Sequence, residues 1–372
     1  MKIHSFRIVA ILILLSPAAF AQVNKTPDTL IFSNGEQLSG ELEKANADGI
    51  TFKSPVAGEL TVKWANIKQL HSDKNFAILT KNEKLTRKRA SAVVPQGTVS
   101  VEDKQLTVAT SSGPRTIPLA DANLLVDAAA FDKAVNHPPN FMHGWGGTAA
   151  AGASLVRATQ NSTTFTGAVS LTRAIPLVDW LPPRSRTTLD YNQAYGTVSQ
   201  AATPTLKTNI FHAEAEQDEY LSSRLFAFAS ATFDHNFAQS LELQQAYGGG
   251  LGISVFHNAI RQLDVKGDVH YEKQSFFNSA LNQNLIGSTF SERYLQFLPK
   301  GIVFNEFASV SPAWNNTNAY SAHANANLGF PVYKGFGFNI GAVDDYLNNA
   351  PAGFKKNSTQ FTTGITYTIK PN

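Results

Sequence analysis

The chain has 372 residues, 25 phenylalanines beside two methionines, no cysteine and a formal net charge of +3. Without a thiol there is no disulfide framework, thiolate metal site or thiol nucleophile, so stability must come from strand pairing and burial. Two of the excess positive charges, Lys2 and Arg7, sit in an N-terminal leader, and the +1 that remains excludes a general field for nucleic acid.

That leader runs from the charged start through the apolar Ile8 to Leu15 into Ser16-Pro17-Ala18-Ala19-Phe20-Ala21. The order predicts a signal peptide over 1–21 with cleavage after Ala21. Its apolar run falls short of the ~20 residues of a spanning helix.

Residues 22–127 predict a periplasmic domain of tandem small β-modules, SH3-like or Sm-like. Asp28 to Phe32, Gln37 to Leu42, Ile50 to Lys53 and Glu59 to Trp64 read as short strands, with turns at Ser33-Asn34-Gly35-Glu36 and Asp48-Gly49. Phe76 to Thr86 echoes Leu30 to Ser39, and Arg115 to Leu119 echoes the stretch around Thr61 to Trp64. The second half is therefore read as a degenerate copy of the first. Lys81, Lys84, Arg87, Lys88 and Arg89 form the one basic cluster, either a solvated strand face or a contact for an anionic surface. Residues 128–143 predict a short helix around Asp127 to Val135 and a stiff linker at His137-Pro138-Pro139-Asn140.

From Gly144 onward the pattern predicts an all-β fold, an antiparallel transmembrane β-barrel of about twelve strands over 144–372. Leu263, Val265, Gly267, Val269 and Tyr271 alternate with Asp264, Lys266, Asp268, His270 and Glu272, one face apolar and the other charged. Phe361, Thr363, Ile365, Tyr367 and Ile369 alternate in the same way with polar or small residues. Loop lengths alternate too. Tight connections such as His257-Asn258-Ala259 interleave with longer polar ones such as Pro312 to Asn318, and the whole of Lys273 to Gly287 is expected to be one of the long loops before a strand at 288–298. Two connections break that rule: a short outer turn at Asp234 to Ala238, and an apolar inner loop from Thr172 to Arg184 with Trp180 as an interfacial anchor.

The inward-facing polar candidates are His212, Glu214, Glu216, Asp218, Asp264, Lys266, Asp268, His270, Glu272 and His323. Carboxylates with histidines can bind a divalent cation or move protons. Interleaved signs are equally explained by mutual ion pairing in the polar interior that such barrels have. No catalytic residue, metal ligand or cofactor site is assigned. Gly248-Gly249-Gly250-Leu251-Gly252 has neither the Lys-Ser/Thr pair nor the following helix of a phosphate loop, and reads as room for a bend and close packing.

Asp234 with Phe237, Tyr247-Gly248-Gly249-Gly250-Leu251-Gly252, Leu263 with Gly267, Tyr271-Glu272, Ser291-Glu292-Arg293 and Thr363-Gly364-Ile365-Thr366-Tyr367 together resemble the salt-induced outer membrane protein family over roughly 210–370. The resemblance implies an outer membrane barrel of a Gram-negative envelope and carries no assigned molecular function. Such members end on an aromatic residue, whereas this chain ends Ile369-Lys370-Pro371-Asn372; Thr362 to Ile369 still resembles the signal read by the outer-membrane insertion machinery.

The expected function is a narrow pore or an envelope-stability protein linked to salt or osmotic stress. The expected partners are outer membrane lipids, the insertion machinery and either peptidoglycan or a periplasmic protein. Two alternatives stand beside it. A lipid-modifying enzyme would use a rim histidine, His235 or His257, although no G-x-S-x-G is present. An anchoring protein would hold the cell wall through its N-terminal modules.

Overall fold

A computed structural model describes residues 27–81, 94–137, 139–157, 160–178, 180–200 and 205–371. The expected signal peptide and all of the basic cluster except Lys81 lie outside the described residues, as does Pro138 of the linker. The chain divides into two compact units, Met1–Asp132 and Lys133–Asn372.

In the first unit, β1 (Asp28–Phe32), β2 (Gln37–Asn46), β3 (Gly49–Ser54), β4 (Gly58–Lys63), β5 (Ile67–Thr80), β6 (Gln96–Glu102), β7 (Gln105–Thr110), β8 (Gly113–Pro118) and β9 (Ala122–Asp127) form one sheet. The turns follow their residues: Gly35 takes φ +91°, and the Asn46 side chain accepts the amides of Asp48 and Gly49. Taken as two halves, β1–β5 and β6–β9, the strands of this sheet are interleaved. The first part of β5 closes on β1 and also pairs with β6 of the second half; β9 closes on the last part of β5 and also pairs with β2 of the first. Leu42, Phe52 and Leu70 from one half and Val99, Leu106 and Leu125 from the other consequently share one apolar core. Helix α1 (Ala128–Asn136) starts on Asp127, whose carboxylate accepts the amide of Ala130 at 2.9 Å.

The second unit contains β10 (Gly146–Arg157), β11 (Gln160–Ile175), β12 (Ser185–Gln200), β13 (Leu206–Tyr220), β14 (Leu225–Asn236), β15 (Leu241–His257), β16 (Arg261–Phe276), β17 (Gln283–Gly287), β18 (Phe290–Phe297), β19 (Val303–Pro312), β20 (Tyr320–Tyr333), β21 (Phe336–Leu347) and β22 (Asn357–Ile369). Each pairs antiparallel with its neighbour, and β22 returns to β10 with Tyr367 opposite Ala149 and Ile365 opposite Ala151. Both β17 and β18 pair with β16 and occupy one position in the wall, so the barrel is closed with twelve strand positions.

The expected long loop from Lys273 to Gly287 is corrected here. β16 continues to Phe276 and β17 begins at Gln283, leaving only a short turn, and the strand expected at 288–298 starts five residues earlier and is broken. The break is local chemistry: Asp268 uses its side chain to accept the Thr289 amide at 2.6 Å, while its own amide donates to the Thr289 carbonyl. A side chain thus replaces a rung of the ladder, and the period slips between Gly287 and Phe290.

The outer wall is apolar. Val269, Leu251, Phe290, Ile340, Phe361 and Ile365 all point outward and are exposed, whereas their alternating neighbours turn into the barrel. Soluble proteins do not leave such a continuous apolar belt bare.

Candidate functional site

The interior is built by strand parity. Register puts Asp190 opposite Glu214, Glu216 opposite Ser230, Gly252 opposite Lys266, Arg293 opposite Asp264 and His323 opposite Asp345, all on the inward face. The small residues are as necessary as the charged ones. A Cβ on Gly252 would lie 2.3 Å from the Phe226 ring, so glycine there admits that inward aromatic of β14.

These side chains form successive layers. Nearest the end where β10 begins and β22 ends, Arg186 of β12 donates to Asp218 of β13 and Asp264 of β16, each at 2.6 Å, with its guanidinium over the Phe226 ring. Ser254 completes the Asp264 carboxylate at 2.7 Å. Next, the Lys266 ammonium of β16 bonds to Glu216 of β13 above the Phe228 ring. In the following layer Arg293 of β18 reaches Asp190 of β12 at 3.0 Å and lies 3.6 Å from Glu214, packed over Phe307. Then His212 of β13 and His323 of β20 stack with ring centroids 5.2 Å apart, each hydrogen-bonded through Nδ1 to an aspartate across the neighbouring strand pair, Asp234 and Asp345, at 2.6 Å.

Position round the wall gives these contacts their meaning. β12 and β18 are five strand positions apart, and β13 and β20 are six apart, diametrically opposite in a wall of twelve. Opposite sides of the barrel therefore touch through their side chains. At the far end the turn between β14 and β15 does the same, with Gln239 donating to the carbonyls of Asp345 and Lys356. Leu241, Phe276 and Leu347 form an apolar cluster there. Charges held this far from water persist because each has a partner; Asp218 is fully buried, and Lys266 and Glu216 are each 5% exposed.

All the residues singled out from sequence lie on the inward face. Glu216, Asp218, Asp264 and Lys266 join the cross-lumen ion pairs, Glu214 sits beside Arg293, and His212 and His323 meet in the stack. Asp268, His270 and Glu272 form a separate group along β16, with His270 at 2.9 Å from Asp268 and 3.7 Å from Glu272. Among the described residues no group of three or more histidines and carboxylates is placed to hold a metal ion. Sequence reasoning missed Arg186, Asp190, Asp234, Arg293 and Asp345. Arg186 and Asp190 share the phase of their strand, as do Arg293 and Ser291, so period two held the signal.

A family model described as "Protein of unknown function, DUF481" matches residues 149–369, more than half of the chain. The chain belongs to the DUF481 family. The DUF481 match spans the barrel and stops short of the N-terminal sheet. No curated protein matches the chain. Similar solved structures include an outer membrane channel from Pseudomonas putida F1, with 11% identity, 62% of this chain and 99% of that chain covered, and TM-score 0.35. The translocator domain of the autotransporter NalP from Neisseria meningitidis has 13% identity, coverage of 60% and 87%, and TM-score 0.32. The NanC porin has 9% identity, coverage of 60% and 99%, and TM-score 0.34.

Proposed function

We propose that this DUF481 protein is an outer membrane β-barrel of a Gram-negative envelope whose lumen is held closed, acting as an envelope-stability protein rather than an open diffusion pore. The carrying observation is the stack of His212 on His323 between strands on opposite sides of the wall, with ion pairs on one side of it and the Leu241, Phe276 and Leu347 cluster on the other. Water-filled barrels keep opposing walls apart; this one joins them in successive layers. The apolar outer belt against the polar inside is what supports membrane insertion, and only a closed barrel lets strands cross lipid without an unpaired edge.

Both barrel termini leave from one end, so an N-terminal sheet in the periplasm puts the turn at Gln239 on the outer side. In that arrangement the sheet is available to peptidoglycan or a periplasmic protein, and the closing strand β22 to the insertion machinery. A role under salt or osmotic stress accords with the resemblance noted in the sequence. The role in this reading is non-enzymatic, and it is supported at one of the two rim histidines, His235, whose ring is held by the Glu242 carbonyl at 2.6 Å and by a stack on Phe211 as part of the wall.

Planar-bilayer recording of the purified protein tests this. Wild type is expected to be electrically silent, and Phe276→Ala combined with His323→Ala to remain so, because the Arg186, Lys266 and Arg293 layers still join the walls. Steady porin-like steps from wild type would overturn the reading.

A further inference from the structure

The barrel end opposite the start of β10 and the end of β22 holds a cavity of about 630 Å³ that the ion-pair layers do not use. Its lining comes from the connections β14–β15, β16–β17, β19–β20 and β21–β22, brought together over the Phe276 ring. Carboxamides dominate its polar side: Asn278, Gln283, Asn316 and Asn349, with no charged residue in the lining. The apolar side is Leu281, Pro351 and the ring of Phe354, which is 45% exposed.

These carboxamides are held in position. Asn316 donates to Gln283 at 2.9 Å; Gln283 and Asn349 each donate to the Gln274 carbonyl oxygen at 2.7 Å; Gln274 donates in turn to Gln244 and Glu272. Gln274 is 2% exposed, so the chain is anchored in the barrel interior rather than free to collapse over the opening. A carboxamide offers a donor and an acceptor on one rigid plane, which matches adjacent hydroxyl groups, each donor and acceptor at once. An accessible aromatic ring beside such groups provides a flat apolar surface for the C–H face of a sugar ring. Neutral amides with one exposed ring exclude preference for a strongly charged ligand and fit a neutral saccharide unit.

We propose that this cavity binds neutral saccharide, with Phe354 as the stacking face and the carboxamides of Asn278 and Asn316 as hydroxyl partners. Two sources carry that chemistry: free oligosaccharide and the glycan of a lipopolysaccharide in the same membrane leaflet. Only the choice between them rests on the outward placement of this end; binding in detergent does not, and is independent of whether the lumen conducts.

The test is saturation-transfer NMR and calorimetry on the full chain in detergent with maltotriose, chitotriose and delipidated O-antigen as probes. Binding of at least one is expected, with Phe354→Ala weakening it about tenfold, the scale of one lost aromatic contact. Binding of a trisaccharide assigns free sugar, and binding of O-antigen alone assigns the membrane glycan. Asn316→Leu, which keeps the side chain's volume, covers the case in which Phe354→Ala fails to fold. Absence of binding by all three probes at tens of millimolar, on the order of the weakest specific contacts, overturns the proposal. Binding that both folded variants leave unchanged does so equally.

Discussion

Lys266 is a flexible ammonium chain almost wholly withdrawn from solvent, with Glu216 as its partner and Phe228 beside it. Removing one member of a buried pair leaves the other charge uncompensated, which costs more than the pair itself contributes. Lys266→Met is accordingly expected to destabilise the barrel by about 3–5 kcal/mol. Lys266→Met with Glu216→Leu should recover most of that loss, measured by guanidinium unfolding in detergent micelles. A single variant that unfolds like wild type would mean that water, not lysine, compensates Glu216. Gly252→Leu acts by shape instead: its Cβ would collide with Phe226 and shift the ring under Arg186, an overpacking cost of about 1–3 kcal/mol. The direction Lys266 and Glu216 face was readable from alternation alone, because successive side chains turn to opposite faces along a regularly paired strand. Their partners were not. Arg186 meets Asp264 across 78 positions of sequence, and only closure of the wall brings β12 towards β16.

Along a single strand the two faces obey opposite rules, and β16 shows it most clearly. Val269 points outward and is 52% exposed, while its neighbour His270 is 6% exposed inside. Val269→Arg is expected to cost about 2–4 kcal/mol near the middle of the wall, since nothing there satisfies a cation. Val269→Leu, by contrast, keeps that face apolar and should cost less than half as much. Urea titration of folding into lipid vesicles separates the two, and equal losses would place lipid elsewhere than on the Val269 face. The same strand marks where reading from sequence fails. Twelve alternating segments could be counted because alternation survives in most strands, but Asp268 substitutes a side-chain bond for a ladder bond at Thr289. That erased the phase between β17 and β18 and made Gln283–Gly287 look like part of a polar loop, rich as it is in Asn and Gln.

On the scale of the whole molecule the barrel was legible in the sequence, but the way the strands of the first unit join was not. Similar stretches separated along the chain imply similar strands; they do not say which copy closes which. In the first unit β9 pairs with β2 and the start of β5 pairs with β6, so each half supplies a strand to the other and neither encloses a core alone. Cooperative unfolding should follow from that sharing. A fragment covering residues 27–132 is expected to be soluble and to melt in one transition by circular dichroism, whereas a fragment ending at Ser72 should show no cooperative melt. Leu125→Ala, which removes a fully buried side chain from the shared core, should lower the stability of the 27–132 fragment by about 2–5 kcal/mol. It should do so identically for probes in either half: hydrogen exchange at Phe52, on β3, should accelerate as much as at Leu106, on β7. Faster exchange confined to β6–β9 would mean that the halves are independent modules laid side by side, and the shared core would then be a contact surface rather than the centre of one fold.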